Sequence, residues 1–269
     1  MIKIESNAAY HASEALSKSR LWRMNVSPEW FRYCEENPPE RTDALLFGSA
    51  FHKLALEPED FGKEFVIAPQ IDRRTKDGKT AWAAFIEASG GKEIVPHDMY
   101  NQAKEMADAV RESRLAGFLT RGEIEQSYYF TDELTGLACK ARPDCFKRIG
   151  ERGVIVDLKS CQSAAPDKFR ADAVKYGYYM QAAMYKTAVE KEHGIECDFV
   201  FVAVEKTPPY LINVTQCKPE DIRYGEDLFR EYIGMYKECT ETGNWYGYNG
   251  AFDQINELGL PGWIASQYE

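Results

Sequence analysis

Apolar positions along the first 120 residues recur mostly at helical spacings, and those from about 122 to 215 recur in short continuous or alternating runs. Residues 7–19 are polar, and Ser17 or Ser19 is placed to cap a short helix ahead of Leu21 and Trp22. Ser27-Pro28-Glu29 predicts a helix start, with proline in the first turn and an acid close behind. Asn37-Pro38-Pro39 breaks that helix. Leu45, Leu46, Ser49, His52, Lys53 and Leu56 share a helical spacing, which predicts a helix over 43–56 that ends before Pro58. A strand is expected at 65–68, an exposed charged loop at 72–80, a helix at 80–89, a brief strand at 94–95, and a helix from 96 to about 114 that Gly117 ends. Strands are then expected at 122–130, 137–146 and 154–160, with turns at 132–136 and 150–153. A long helix over 166–193, strands at 197–205 and 210–215, and a helix over 218–239 complete the pattern before a Gly- and Tyr-rich tail. This order predicts one α/β domain over 1–269: a helical N-terminal region (1–120), a sheet with its long helix (121–217), and a C-terminal helix and tail (218–269).

No stretch approaches eighteen apolar residues, which excludes a membrane-spanning helix, and the first residues lack a signal-peptide core. Seven cysteines, an odd number, favour a reducing cytoplasm over a disulfide framework. The net charge of −10 argues against a protein that coats DNA over its whole surface. The charge is uneven, however. Residues 139–175 hold nine basic and five acidic side chains, whereas 219–269 hold three basic and ten acidic ones. An acidic body with a basic strip can still guide a polyanion to one place, although solvated faces account for the same numbers.

Ionisable groups fall where a sheet would ordinarily hold apolar ones: Glu123 and Glu125, then Asp144, then Asp157 and Lys159. Side chains alternate along a strand, so Asp157 and Lys159 share a face and Leu158 points the other way. Val154, Ile155 and Val156 make this a core strand, where a charged pair is costly unless it is paired or holds a metal. Antiparallel pairing around Gly150 would bring Asp144 beside Asp157. Converging carboxylates suit a hard divalent ion such as Mg²⁺, with Mn²⁺ as a substitute, and such an ion can activate water against a phosphodiester. A surface hairpin with a routine Asp–Lys pair fits the same spacing. Gln181 and Tyr185 lie one turn apart on the long helix and share a face.

Arg142-Pro143-Asp144 followed by Val156-Asp157-Leu158-Lys159-Ser160 resembles the PD-(D/E)XK nuclease superfamily. The run from Tyr178 to Tyr185 is similar to the Tyr/Gln-bearing helix of its phage-type exonucleases. The run from Phe47 to Leu54 resembles the helix that supplies their active-site histidine, and Glu125 falls where they carry a glutamate. The tail, Trp245-Tyr246-Gly247-Tyr248 and Leu260-Pro261-Gly262-Trp263, is similar to RecE-type domains, the C-terminal domain of exodeoxyribonuclease VIII.

The resemblance implies a restriction-endonuclease-like fold, a central mixed sheet flanked by helices. It also implies a Mg²⁺-dependent 5′→3′ exodeoxyribonuclease that leaves 3′ single-stranded tails for recombination by strand annealing. It implies phage or prophage origin, a ring-shaped homo-oligomer on double-stranded DNA ends in the bacterial cytoplasm, and a RecT-like annealing partner. Asp144, Asp157 and the backbone carbonyl of Leu158 would bind metal, with Glu125 and His52 completing the site. Lys159 would hold the attacking water, and Gln181 and Tyr185 would fix Lys159 or contact the scissile phosphate. Ser17, Ser19, Ser27, Arg142, Ser160, Lys168, Arg170, Lys175, Tyr178 and Tyr185 would contact DNA phosphates. Cys139, Cys145 and Cys161 lack the spacing of an iron–sulfur site, so no cluster is expected. The rival readings are an end- or structure-selective endonuclease of the same fold, a non-catalytic DNA-binding module, and a small-molecule hydrolase.

Overall fold

The computed structural model describes residues 1–261 and Ile264. Along the chain, β1 (Ile2–Lys3) and α1 (Asn7–Ala12) precede β2 (Leu16–Ser17), α2 (Lys18–Leu21), a 3₁₀ turn and α3 (Pro28–Glu36). α4 (Asp43–Leu56) follows, then α5 (Phe61–Glu64), β3 (Phe65–Ile67), α6 (Lys76–Ala88), β4 (Glu93–Val95), α7 (His97–Glu112) and α8 (Arg114–Leu119). The sheet region runs β5 (Glu123–Ile124), β6 (Ser127–Thr131), β7 (Ala138–Ala141), β8 (Cys145–Ile149) and β9 (Arg152–Cys161). α9 (Pro166–Lys175) and α10 (Tyr178–His193) lead to β10 (Cys197–Glu205), β11 (Ile212–Gln216) and α11 (Pro219–Thr242).

The central sheet has the order β11-β10-β9-β8-β5 and is mixed: β9 and β10 are parallel, and the other pairs are antiparallel. A second sheet has the order β1-β6-β7-β2, and β3 pairs with β4. Strand alternation divides the core between the two faces of the central sheet. Phe146, Ile155, Phe199 and Phe201 pack with Met180 and Met184 of α10 and with Phe229 and Ile233 of α11. Val156, Leu158, Val200 and Val202 pack on the other face, with Phe47 and Phe51 of α4 and with Met106 and Val110 of α7. This is the expected α/β architecture, a mixed sheet between helical layers with a helical N-terminal region.

Several expected elements are divided. The strand expected at 122–130 is β5 and β6, and the one expected at 137–146 is β7 and β8; the first run passes from the central sheet into the second one, and the second run passes back. The helix expected over 166–193 breaks at Gly177, whose φ of +64° is left-handed and whose missing Cβ leaves room for the Trp22 ring. α6 begins at Lys76, earlier than expected, because Thr75 caps it through the Gly78 N–H. Gly117 lies inside α8 instead of ending α7, because a side chain there would strike the Arg111 carbonyl at the end of α7.

Candidate metal centre

Glu125 and Asp144 both stand where the chain passes between sheets. β5 ends at Ile124 and β6 begins at Ser127, while β7 ends at Ala141 and β8 begins at Cys145. The two passages are joined by a hydrogen bond from the Glu125 N–H to the Asp144 carbonyl at 3.2 Å. Glu125 takes φ +52°, left-handed for a residue that bears a side chain. The β8–β9 register ends with Cys145 opposite Val156, so Asp144 and Asp157 are the next facing positions. There the ladder stops. The Leu158 N–H instead donates to Asp144 Oδ2 at 2.6 Å. The N–H and C=O of a strand residue point to the same side, so the Leu158 carbonyl also faces the side that β8 has left.

α4 brings His52 to this place. Its Nδ1 lies 3.1 Å from Asp144 Oδ1. Burial by itself would lower the His52 pKa, but the Asp144 carboxylate overrides it and holds the imidazolium up at about 9. Asp144, buried as well, would be raised by desolvation; His52, Lys159 and the Leu158 N–H hold it below the usual carboxylate range. Glu125 is pushed up by burial and by Asp144, against the pull of Arg142 and His52. One ligand atom from each of His52, Glu125 and Asp144 lies within 4.8 Å of the others. Two carboxylates and an imidazole make a donor set with the capacity for a divalent ion.

Asp157 and Lys159 project to the opposite face of β9 from Leu158, toward α10, as strand alternation requires. Gln181 Nε2 donates to Asp157 Oδ1 at 2.5 Å, and Lys159 Nζ donates to Gln181 Oε1 at 3.1 Å. One glutamine thus orients both charged groups. Lys159 Nζ also pairs with Asp157 Oδ2. Burial, reinforced by the Asp144 charge and opposed by Lys159, pushes the Asp157 carboxyl up to about 6. A further buried carboxylate beside the two-carboxylate, one-imidazole group adds to a donor set whose chemistry fits a divalent cation.

Residues 28–257 match the family described as a PDDEXK-like domain of unknown function (DUF3799). The chain belongs to that family. Among solved structures, a protein of Eubacterium rectale described as a candidate exonuclease superposes on this PDDEXK-like domain with a TM-score of 0.63, at 16% identity and over 98% of each chain. A likeness at that identity is one of fold. A second structure, SSO0001, aligns over 71% of this chain and 86% of its own at 13% identity, with a TM-score of 0.33. No curated protein matches the domain. The domain therefore has a nuclease-like fold with a cluster of His52, Glu125 and Asp144 that has the capacity to hold a divalent ion.

The other residues singled out by sequence occupy varied places. Ser17 and Ser27 spend their hydroxyls capping α2 and α3, through the Arg20 and Trp30 N–H groups, and the Ser19 hydroxyl meets Ser17 at 3.1 Å. The Tyr178 ring lies 4.7 Å from Lys159 Nζ. Tyr185 packs against Phe199, and Ser160 is half-buried on β9. Lys168, Arg170 and Lys175 are exposed on α9. Arg142 does not point into open solvent; its guanidinium meets Glu125. Gly262 and Trp263 of the tail motif lie outside the described residues.

Two features escaped the sequence reading. Lys18 Nζ sits 5.0 Å from the Trp22 ring and 5.9 Å from Tyr178, close enough to Lys159 that burial and this like charge push its pKa down to about 7. Nothing local marks Lys18, since Gly177 and α10 bring its neighbours together. A cavity of about 340 Å³ opens beside the cluster, lined by His11, Arg41, His52, Lys53, Glu125 and Arg142. Among the described residues, no helix is long and apolar enough to cross a membrane.

Proposed function

We propose that this domain is a Mg²⁺-dependent double-strand DNA exonuclease of the RecE type, which degrades the 5′-ended strand and leaves 3′ tails, with Mn²⁺ as a working substitute. The observation that carries the reading is the convergence of His52, Glu125 and Asp144 within 4.8 Å, next to an Asp157–Lys159 pair held by one glutamine. Asp144, Glu125 and His52 would hold the ion, with Asp157 and the Leu158 carbonyl completing its surroundings. A bound divalent ion supplies charge neutralisation at the phosphodiester and a more acidic water. Lys159 orients that water, and its ammonium faces the charge that develops on the phosphoryl oxygens. Gln181 keeps the ammonium in place by accepting from it while donating to Asp157.

Lys168, Arg170 and Lys175 on α9 offer phosphate contacts that carry no base information, as suits an enzyme that digests any sequence. The E. rectale neighbour's description as a candidate exonuclease points the same way. A ring around DNA would let a chain of net charge −10 stay bound by topology. The 3′ tails would pass to a RecT-like annealing protein in the bacterial or prophage setting.

The test is a time course on linear duplex labelled at the 5′ or the 3′ end, in Mg²⁺ and in EDTA, with closed circular duplex alongside. Early release of 5′ label, dependence on Mg²⁺, survival of the circle and an inert Lys159→Ala variant that still binds duplex are expected. Efficient nicking of the circle would convert the reading to an endonuclease. Hydrolysis undiminished in EDTA, or an active Lys159→Ala, would overturn the mechanism.

A further inference from the structure

The sequence reading placed Arg142 on DNA, but its surroundings point elsewhere. Arg142 Nε donates to Glu125 Oε2 at 2.7 Å, and Nη1 donates to Ser127 Oγ and to the Glu5 carbonyl, each at 3.3 Å. The guanidinium carbon lies 5.6 Å from the Tyr10 ring, and the side chain is only 11% exposed. Its anchors other than Glu125 therefore come from β6, from the segment before α1 and from α1 itself. Glu125 lies between two short strands with a left-handed backbone that its own residue type disfavours. A guanidinium anchored through Nη1 to other residues and donating Nε to that carboxylate can fix its direction.

We propose that Arg142 is a positioning residue for the metal centre, aiming the Glu125 carboxylate at His52 and Asp144. This rests on the metal-centre reading above and deepens it. The alternative role, a counter-ion that offsets negative charge, makes the opposite prediction. Removing a positive charge beside a cation site strengthens cation binding by simple Coulomb attraction. Removing a positioning partner of a ligand weakens binding, typically by about 10–100-fold. The sign of the effect separates the two roles.

The experiment is calorimetric titration of Mn²⁺ into the full chain and its variants. Arg142→Gln is expected to weaken Mn²⁺ binding by about tenfold or more. Arg142→Lys keeps the charge but loses the fork, and is expected to weaken it as well; this variant carries the test if Arg142→Gln does not fold. In a Glu125→Gln background, Arg142→Gln should produce no additional loss, since the carboxylate it aims is gone. Equal or tighter binding by Arg142→Gln would overturn the proposal, as would full affinity in Arg142→Lys or a loss that persists undiminished in the Glu125→Gln background. Wild-type protein that takes up no Mn²⁺ would instead overturn the metal-centre reading, and this inference with it, before any substitution is compared.

Discussion

Replacing Asp157 by asparagine should make the metal-free protein more stable while abolishing its activity. Asp157 is 2% exposed, and Lys159 is the one cation paired with it among the described residues. Burial is the leading cause that raises its pKa from 3.8 to about 6. A carboxyl whose folded pKa is raised favours the folded state below its unfolded pKa and loses that contribution as pH rises through the folded value. Above about pH 7 the folded protein carries an ionised Asp157 at a cost of about 3 kcal/mol, from roughly two pKa units at ~1.36 kcal/mol each. Lys159 is already counted in that figure, because its attraction opposes the rise. Asparagine copies the neutral form and keeps the acceptor for Gln181, but sets an amide N–H₂ near Lys159 Nζ, which takes back about 1 kcal/mol. The net gain is about 2 kcal/mol at pH 8, or about 4–8 °C in Tm for a chain of this size. At pH 4 the cost of the ionised form falls to about 0.5 kcal/mol, because the acid is then largely protonated in the folded state and substantially so in the unfolded state. The assay is thermal unfolding by circular dichroism in EDTA at both pH values, with nuclease activity measured in parallel. An Asp157→Asn variant less stable than wild type at pH 8, or equally stabilised at pH 4 and pH 8, would refute the burial argument.

The remaining predictions concern the same network. Gln181→Leu removes the group that orients both Asp157 and Lys159, and should lower kcat by about 10–100-fold, the scale on which partners of active groups act, with KM for DNA little changed; initial rates over a range of duplex concentrations check this. His52 must lose its proton to ligate a metal, and its folded pKa is held at about 9 by Asp144 despite burial. Apparent Mn²⁺ affinity should therefore rise about tenfold per pH unit between pH 6.5 and 8. The same titrations in buffers of different ionisation enthalpy should report release of about one proton, and a pH-independent affinity would remove His52 from the ligand set.

Much of the site could be read from the chain because its parts are local. The alternation that put Asp157 and Lys159 on one face and Leu158 on the other holds in the structure, with Leu158 in the core beneath α4 and the two charged groups under α10. The hairpin register follows from two strands and one turn, and the helical spacing over 43–56 gives α4 over Asp43–Leu56. What could not be read depends on partners distant in sequence. Runs 122–130 and 137–146 each look like one continuous strand, because periodicity reports burial along a strand and says nothing of which sheet it joins. Arg142 looked like a free phosphate contact because its partners, Glu125, Ser127 and Glu5, meet it only after both passages between sheets are made. The serines of 17 and 27 carry a helix-capping signature, and capping is the use their hydroxyls find.

The break in the ladders and the donor set are one structural event. Where β8 stops at Cys145, β9 continues to Cys161, so the backbone of Leu158 is left facing Asp144 in place of a strand. A buried N–H without a partner is costly, and the Asp144 carboxylate meets it at 2.6 Å. A carboxylate in that position brings negative charge into a buried place already held by Glu125 and Asp157, and each additional acid raises the cost of ionising the others. His52 from α4 and Lys159 from β9 offset part of that charge, two cations against three acids. The fold thus solves a backbone problem with acids and leaves a charge excess that a divalent cation would offset. By mass action, a ligand that binds only the folded state stabilises it in proportion to the logarithm of its concentration over Kd. The same carboxylates that weaken the metal-free domain are, on this reading, what makes the metal-bound one both stable and chemically competent.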